Sequence, residues 1–131
     1  MTIVPRQATI LVVDDDAAVT KTFERVLTHN GYRVLVALNA EDALRVVDQN
    51  RPDALIVDLR MPRIDGLGLL YRLRSRDAQQ HMPALVVTGD TALNEDVLQQ
   101  LANLGAKVLY KPIEAAVLLA ETSTLLGGST G

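Results

Sequence analysis

A doubly wound α/β domain, with a parallel sheet and helices on both of its faces, is the fold class this sequence predicts. Three observations carry that expectation. Short apolar runs of strand length alternate along the chain with stripes of helical spacing. The runs Ala8–Val13 and Ala54–Val57 are nearly continuous in apolar residues, as strands buried on both faces require. Polar or turn-forming residues end the runs: Asp14-Asp15-Asp16, Asp58, Thr88-Gly89-Asp90 and Lys111-Pro112. Strands that alternate with helices join by right-handed crossovers into one parallel sheet.

Residues 1–7 carry Pro5 and no pattern, and are expected to form a loose arm ahead of a domain over 8–126. Ala8–Val13 is the first strand. Val19, Phe23, Val26 and Leu27 stripe the first helix, which Asn30-Gly31 stops. Tyr32–Leu38 is the second strand, with Val34, Val36 and Leu38 alternating against Arg33, Leu35 and Ala37. Asn39 is a natural N-cap for a helix striped by Ala40, Ala43, Leu44 and Val47, which Arg51-Pro52-Asp53 breaks. Ala54–Val57 is the central strand, closed by Asp58. Pro62 and Asp65-Gly66 turn the chain into a third helix with Gly66, Leu69, Leu70 and Leu73 on one face. Pro83 opens a fourth strand, Ala84–Val87. Val97, Leu101 and Leu104 stripe the fourth helix, stopped by Gly105. Lys107–Tyr110 is the fifth strand. The last helix carries Val117, Leu118, Leu119, Leu125 and Leu126, a wider apolar arc than packing on a sheet requires. Residues 127–131 are expected to be a flexible tail.

Composition excludes several classes of function. The chain has 131 residues, enough for one domain, and 48% of them are hydrophobic, which argues for a packed core. A net charge of −3 gives no general argument for nucleic acid. There is no Cys, which rules out disulfides, thiolate catalysis and Cys-based metal sites. No apolar run approaches the ~20 residues of a membrane span, and the first residues lack the apolar core of a signal peptide. A cytoplasmic protein is expected.

A parallel sheet gathers all its strand ends on one edge. Of the two common strand orders, the Rossmann order wants G-x-G-x-x-G after the first strand, where this chain has Asp14-Asp15-Asp16. The flavodoxin-like order 2-1-3-4-5 remains, with five strands and five helices. In that order Asp14, Asp15, Asp58 and Thr88 end neighbouring strands, a few spacings of ~4.8 Å apart, and Lys111 ends the next. Carboxylates so close repel unless a cation joins them. Oxygen donors without His or Cys suit Mg2+, which completes its shell with water and phosphate oxygens. A carboxylate beside Mg2+, a hydroxyl and an ammonium can attack phosphorus to form an acyl phosphate, with Asp58 as nucleophile.

The motifs ILVVDDD (10–16), IVDLRMPRIDG (56–66), VVTGD (86–90) and GAKVLYKPI (105–113), in this order, resemble the receiver domain of two-component response regulators, the CheY-like family. The resemblance covers about residues 8–126. It implies that Asp58 is the phosphoacceptor, that Asp15 binds Mg2+ directly and Asp14 through water, and that the Arg60 carbonyl is a further ligand. It implies that Thr88 is the switch hydroxyl, that Lys111 senses phosphate, and that the Lys111-Pro112 bond is cis. It further implies a histidine kinase or phosphotransfer protein as phosphoryl donor. A downstream protein, or a second copy of the chain, would then meet a face made by the fourth helix, fifth strand and fifth helix. The pattern departs from the family at Val108, where an aromatic is usual, and in a Gly105–Lys111 segment one residue shorter than usual. The shorter form resembles receiver modules of hybrid histidine kinases.

Two rival functions are weighed against this one. A hydrolase of the haloacid-dehalogenase type needs a second Asp two residues after the nucleophile, where Arg60 stands. A binding-only pseudo-receiver would not need Asp14, Asp15, Asp58, Thr88 and Lys111 together. Asp16 is expected to cap a helix, and His29 and His81 to carry no chemistry. Of Arg72, Arg74 and Arg76 only Arg72 and Arg76 share a helix face, expected to be solvated rather than a nucleic-acid patch. Arg60 and Asp90 leave neighbouring strand ends with opposite charge. They are expected to reach ion-pair distance, and the closed pair to slow hydrolysis of an acyl phosphate.

Overall fold

The computed structural model describes residues 7–76 and 81–127. The arm expected over 1–7, apart from Gln7, and the tail over 127–131, apart from Gly127, lie outside them. Among the described residues ten elements alternate: β1 (Thr9–Val13), α1 (Ala17–His29), β2 (Arg33–Ala37), α2 (Ala40–Asn50), β3 (Ala54–Val57), α3 (Gly66–Arg74), β4 (Ala84–Thr88), α4 (Glu95–Asn103), β5 (Ala106–Tyr110) and α5 (Ala115–Leu125). The strands form one parallel sheet in the order β2-β1-β3-β4-β5. The predicted fold class and strand order are therefore observed.

Because side chains of a strand alternate between faces, an all-apolar strand feeds two cores at once. Leu11, Val13, Leu55, Val57, Ala84 and Val86 point to one face, where Val47 of α2, Leu69, Leu70 and Leu73 of α3 and Leu101 of α4 meet them. Ile10, Val12, Ile56, Leu85 and Val87 point to the other, against Phe23 and Leu27 of α1 and Leu118 of α5. Each such side chain, fully buried, contributes about 1.5–3 kcal/mol. Two threonines join these layers by satisfying their hydroxyls within their own helix. Thr20 donates to the Ala17 carbonyl at 2.9 Å, and the fully buried Thr122 donates to the Leu118 carbonyl at 2.7 Å.

Register aligns the strand ends. Val13 pairs with Val57, Val57 with Val86, and Thr88 with Tyr110. One edge expectation differs: Leu38 lies beyond β2 and is 43% exposed, while Ala37 is buried. The chain leaves the sheet there to reach the Asn39 cap, whose side chain accepts from the Asp42 N–H. The apolar arc of α5 divides: Leu118 is buried, Leu119, Leu125 and Leu126 are partly covered, and Val117 is 44% exposed.

Candidate functional site

Asp14 is the first residue past β1. Its N–H still bonds to the Ala37 carbonyl at 3.2 Å, which holds it in line with the sheet, and its side chain is buried. Its Oδ1 accepts from the Asp16 N–H at 2.9 Å, and its Oδ2 from the Lys111 ammonium at 2.8 Å. Asp15 follows it and is exposed. Asp58 is the first residue past β3, tied by its N–H to the Val13 carbonyl at 2.9 Å and only 9% exposed. One oxygen from each of Asp14, Asp15 and Asp58 lies within 4.8 Å of the others.

Asp16 takes no part in that cluster. It caps α1, accepting from the Ala18 N–H at 2.9 Å. Three consecutive aspartates thus divide into two site acids and one cap.

Lys111 enters from the far side. Its N–H bonds to the Thr88 carbonyl at 2.8 Å, the Lys111-Pro112 bond is cis, and its Nζ stands 3.6 Å from Asp58 Oδ2. The ammonium therefore sits between Asp14 and Asp58, closer to Asp14. Thr88 ends β4 fully buried, its hydroxyl oxygen accepting from the Asp90 N–H at 3.1 Å. Val108 is partly buried against α4's face of the sheet, and Tyr110, in register with Thr88, is 41% exposed.

Electrostatics follow from this crowding. Burial holds the Asp58 carboxyl above its ordinary value and the charge of Asp14 pushes the same way, against the smaller pull of Lys111 and the Arg60 N–H. Burial draws the Lys111 ammonium down. The hydrogen bond and charge of Asp14, with the charge of Asp58, outweigh it, so its pKa stands above the ordinary value. Three acids and one ammonium leave a net negative pocket that favours a cation.

The loop from Asp58 to Asp65 closes back on the Asp58 backbone. Gly66 donates to the Leu59 carbonyl at 2.9 Å, and a Cβ at Gly66 would stand 2.5 Å from the Asp58 carbonyl oxygen. This close approach was not foreseen from the sequence, although the Asp65-Gly66 pair marked the turn. Asp65 itself caps α3, accepting from the Gly68 N–H at 2.9 Å.

Arg60 and Asp90 meet as expected. Arg60 Nη2 is 2.6 Å and Nε 2.7 Å from Asp90 Oδ2. Asp90 stays below the ordinary carboxylate range because the Ala92 N–H bonds to it and Arg60 faces it. Arg74 Nε donates to the Leu104 carbonyl at 2.8 Å, and Arg76 pairs with Asp48. His29 and His81 are exposed and stand apart from the acidic cluster.

The family model described as "Response regulator receiver domain" matches residues 10–123. Response regulator MprA of Mycobacterium sp. (strain KMS) is 41% identical over 120 residues, covering 89% of this chain and 50% of the relative. The chain thus spans about half the length of the curated relatives it matches. Chemotaxis protein CheY4 of Vibrio cholerae is similar at a TM-score of 0.85 with 26% identity, over 92% of this chain and 99% of that one. The signal receiver domain of a signal transduction histidine kinase from Syntrophus aciditrophicus is similar at a TM-score of 0.81 with 26% identity, over 94% and 92%.

Proposed function

Because the chain belongs to the response regulator receiver domain family of two-component signalling, we propose that it accepts a phosphoryl group on Asp58 from a phosphohistidine. The donor would be a histidine kinase or a phosphotransfer protein. The observation that carries this reading is the convergence of Asp14, Asp58 and Lys111 from three strand ends, at 2.8 and 3.6 Å.

Asp58 attacks phosphorus through a carboxylate oxygen as the P–N bond to the donor imidazole breaks. The nitrogen keeps the bonding pair, and the ring, already protonated on its other nitrogen, leaves as neutral imidazole. Lys111 favours the ionised form of Asp58 and then faces the phosphoryl oxygens, and the Thr88 hydroxyl donates to one of them. Water later attacks the acyl phosphate, releasing inorganic phosphate and restoring the carboxylate. The all-oxygen donor set fits Mg2+, which Asp14, Asp15, Asp58 and the Arg60 carbonyl would hold. Bound there, the ion would supply positive charge for the transferring oxygens.

An open apolar hollow of about 520 Å³ flanks Lys111, lined in part by Val19, Phe23, Pro112 and Ile113. It offers the donor protein a contact beside the site. The output would pass through α4, β5 and α5, where Tyr110 and Val117 are exposed. The same chemistry would serve a cytoplasmic free-standing regulator or a module of a longer protein. The likeness to a receiver of a histidine kinase and the half-length match to the curated relatives favour keeping the second form beside the first.

The test is incubation with Mg2+ and a small phosphodonor, followed by intact mass. One stoichiometric phosphoryl adduct is expected, and none in Asp58→Asn. An adduct that survives that substitution places the nucleophile elsewhere.

A further inference from the structure

Four residues, Asp58, Arg60, Asp90 and Thr88, are joined in a chain of contacts at the mouth of the site. The Arg60 N–H donates to Asp58 Oδ1 at 3.4 Å, and its guanidinium grips Asp90 Oδ2 at 2.6 and 2.7 Å. The Asp90 N–H in turn donates to Thr88 Oγ1 at 3.1 Å, while Asp90 Oδ1 accepts from the Ala92 N–H at 2.9 Å. The guanidinium thus ties the loop after β3 to the loop after β4. Both side chains of the tie reach solvent, Arg60 being 55% and Asp90 25% exposed. An ion pair so placed is weakly held and open to exchange.

Charge decides what phosphorylation does to this tie. Asp14, Asp15 and Asp58 bring three negative charges together, and Lys111 brings one positive. A divalent cation makes that set neutral. Converting Asp58 to an acyl phosphate raises its charge to about −2, which leaves the filled site with an excess of negative charge. Arg60 stands two residues along the same loop, and it already reaches across one strand spacing of about 4.8 Å to find Asp90. A guanidinium matches phosphoryl oxygens in bidentate fashion at least as well as it matches a carboxylate.

We propose that Arg60 is a phosphoryl-binding residue that Asp90 holds in reserve. On phosphorylation of Asp58 the guanidinium leaves Asp90 for the phosphoryl oxygens, and the loop after β4, released from its tie, carries the change toward α4. The proposal rests on the phosphoacceptor reading and adds a role for this pair. It differs from a simple cover, in which the closed pair shields the phosphoryl group and both residues are needed alike. In the exchange, Asp90 competes with the phosphoryl group for one guanidinium, so the two residues act in opposite directions.

The test compares the wild-type chain with Arg60→Gln, Asp90→Asn and the double variant. Each is loaded with a small phosphodonor and Mg2+, and loss of the adduct is timed by intact mass. In parallel, beryllium fluoride with Mg2+ is titrated against each protein and read by thermal unfolding. Arg60→Gln is expected to shorten the adduct half-life and weaken beryllium fluoride binding by roughly fivefold to tenfold, the loss of one charge-assisted contact. Asp90→Asn is expected to lengthen the half-life and tighten binding, and the double variant to behave as Arg60→Gln alone. Shortening in both single variants establishes the cover and overturns the exchange, as do unchanged half-lives. A wild-type chain that takes up no adduct, or an adduct that persists in Asp58→Asn, brings down the phosphoacceptor reading and the exchange with it.

Discussion

At the scale of single residues, Asp58 is a buried carboxylate crowded by two other acids. Its carboxyl is held above the ordinary range by burial and then by Asp14. A raised folded-state pKa favours the protonated form. Its stability is fully present below the unfolded value of about 3.9 and is lost as pH rises through the folded value. Asp58→Asn stays neutral throughout. In metal-free protein it should therefore melt above wild type at pH 7, the difference vanishing as pH falls below that of the unfolded carboxyl. Melting curves of both proteins across pH 3–8 check this; a variant that melts lower at pH 7 counts against the crowding of charge. Gly66 gives a second prediction. A Cβ there would stand 2.5 Å from the Asp58 carbonyl oxygen and 2.9 Å from Leu59 Cα, both backbone atoms that cannot step aside. Gly66→Ala should cost on the order of 1–3 kcal/mol and slow the proposed phosphoryl uptake, because the shift falls on the Asp58 peptide. Urea midpoints and adduct formation rates measure the two effects separately.

At the scale of elements, the helices differ in how they begin. Side chains of Asp16, Asn39, Asp65 and Asn94 cap α1 to α4. Glu114, at the start of α5, makes no capping hydrogen bond with its side chain. Glu114→Ser should therefore stabilise by about 0.5–1 kcal/mol, and Asp16→Ala destabilise by about 0.5–2 kcal/mol, without loss of the phosphoryl adduct from either. Denaturant titration and intact mass decide together: an Asp16→Ala protein that folds but takes no phosphate would give Asp16 a role in the site. On α5 itself, Val117 is 44% exposed beside the buried Leu118. Val117→Lys should leave stability within about 0.5 kcal/mol of wild type, yet weaken any self-association or partner binding through this face. Sedentation-equilibrium or light-scattering mass against concentration tests the dimer; identical masses for both proteins at every concentration would remove Val117 from an interface.

At the scale of the whole molecule, the fold brings three acids from two strand ends together. Mg2+ should therefore raise the melting temperature. Free ion at about a hundred times its Kd stabilises by about 2.7 kcal/mol, which is several degrees for a domain of this size. Asp15→Ala should reduce that rise most, since Asp15 is the cluster's exposed acid while Asp14 is already engaged by Lys111 and the Asp16 N–H. Calorimetry with and without millimolar Mg2+ measures it, and a melting temperature indifferent to the ion argues against the metal site.

By itself the sequence determined what depends on near neighbours in the chain. The strand runs, the helix stripes, the caps at Asp16 and Asn39 and the stop at Gly105 are set by contacts within about four residues. The acids and the lysine at the strand ends were legible too, because a parallel sheet must collect them on one edge. Only the tertiary structure decided how these groups share one another. Lys111 lies 97 residues from Asp14 and bonds to it at 2.8 Å, nearer than to Asp58 at 3.6 Å. That preference comes from strand register and loop path, which no local pattern encodes. The same holds for Gly66 pressed on the Asp58 carbonyl and for Leu38 turned out of β2. Each is settled by backbone meeting backbone across the fold, where a displacement of one ångström outweighs any residue's intrinsic preference.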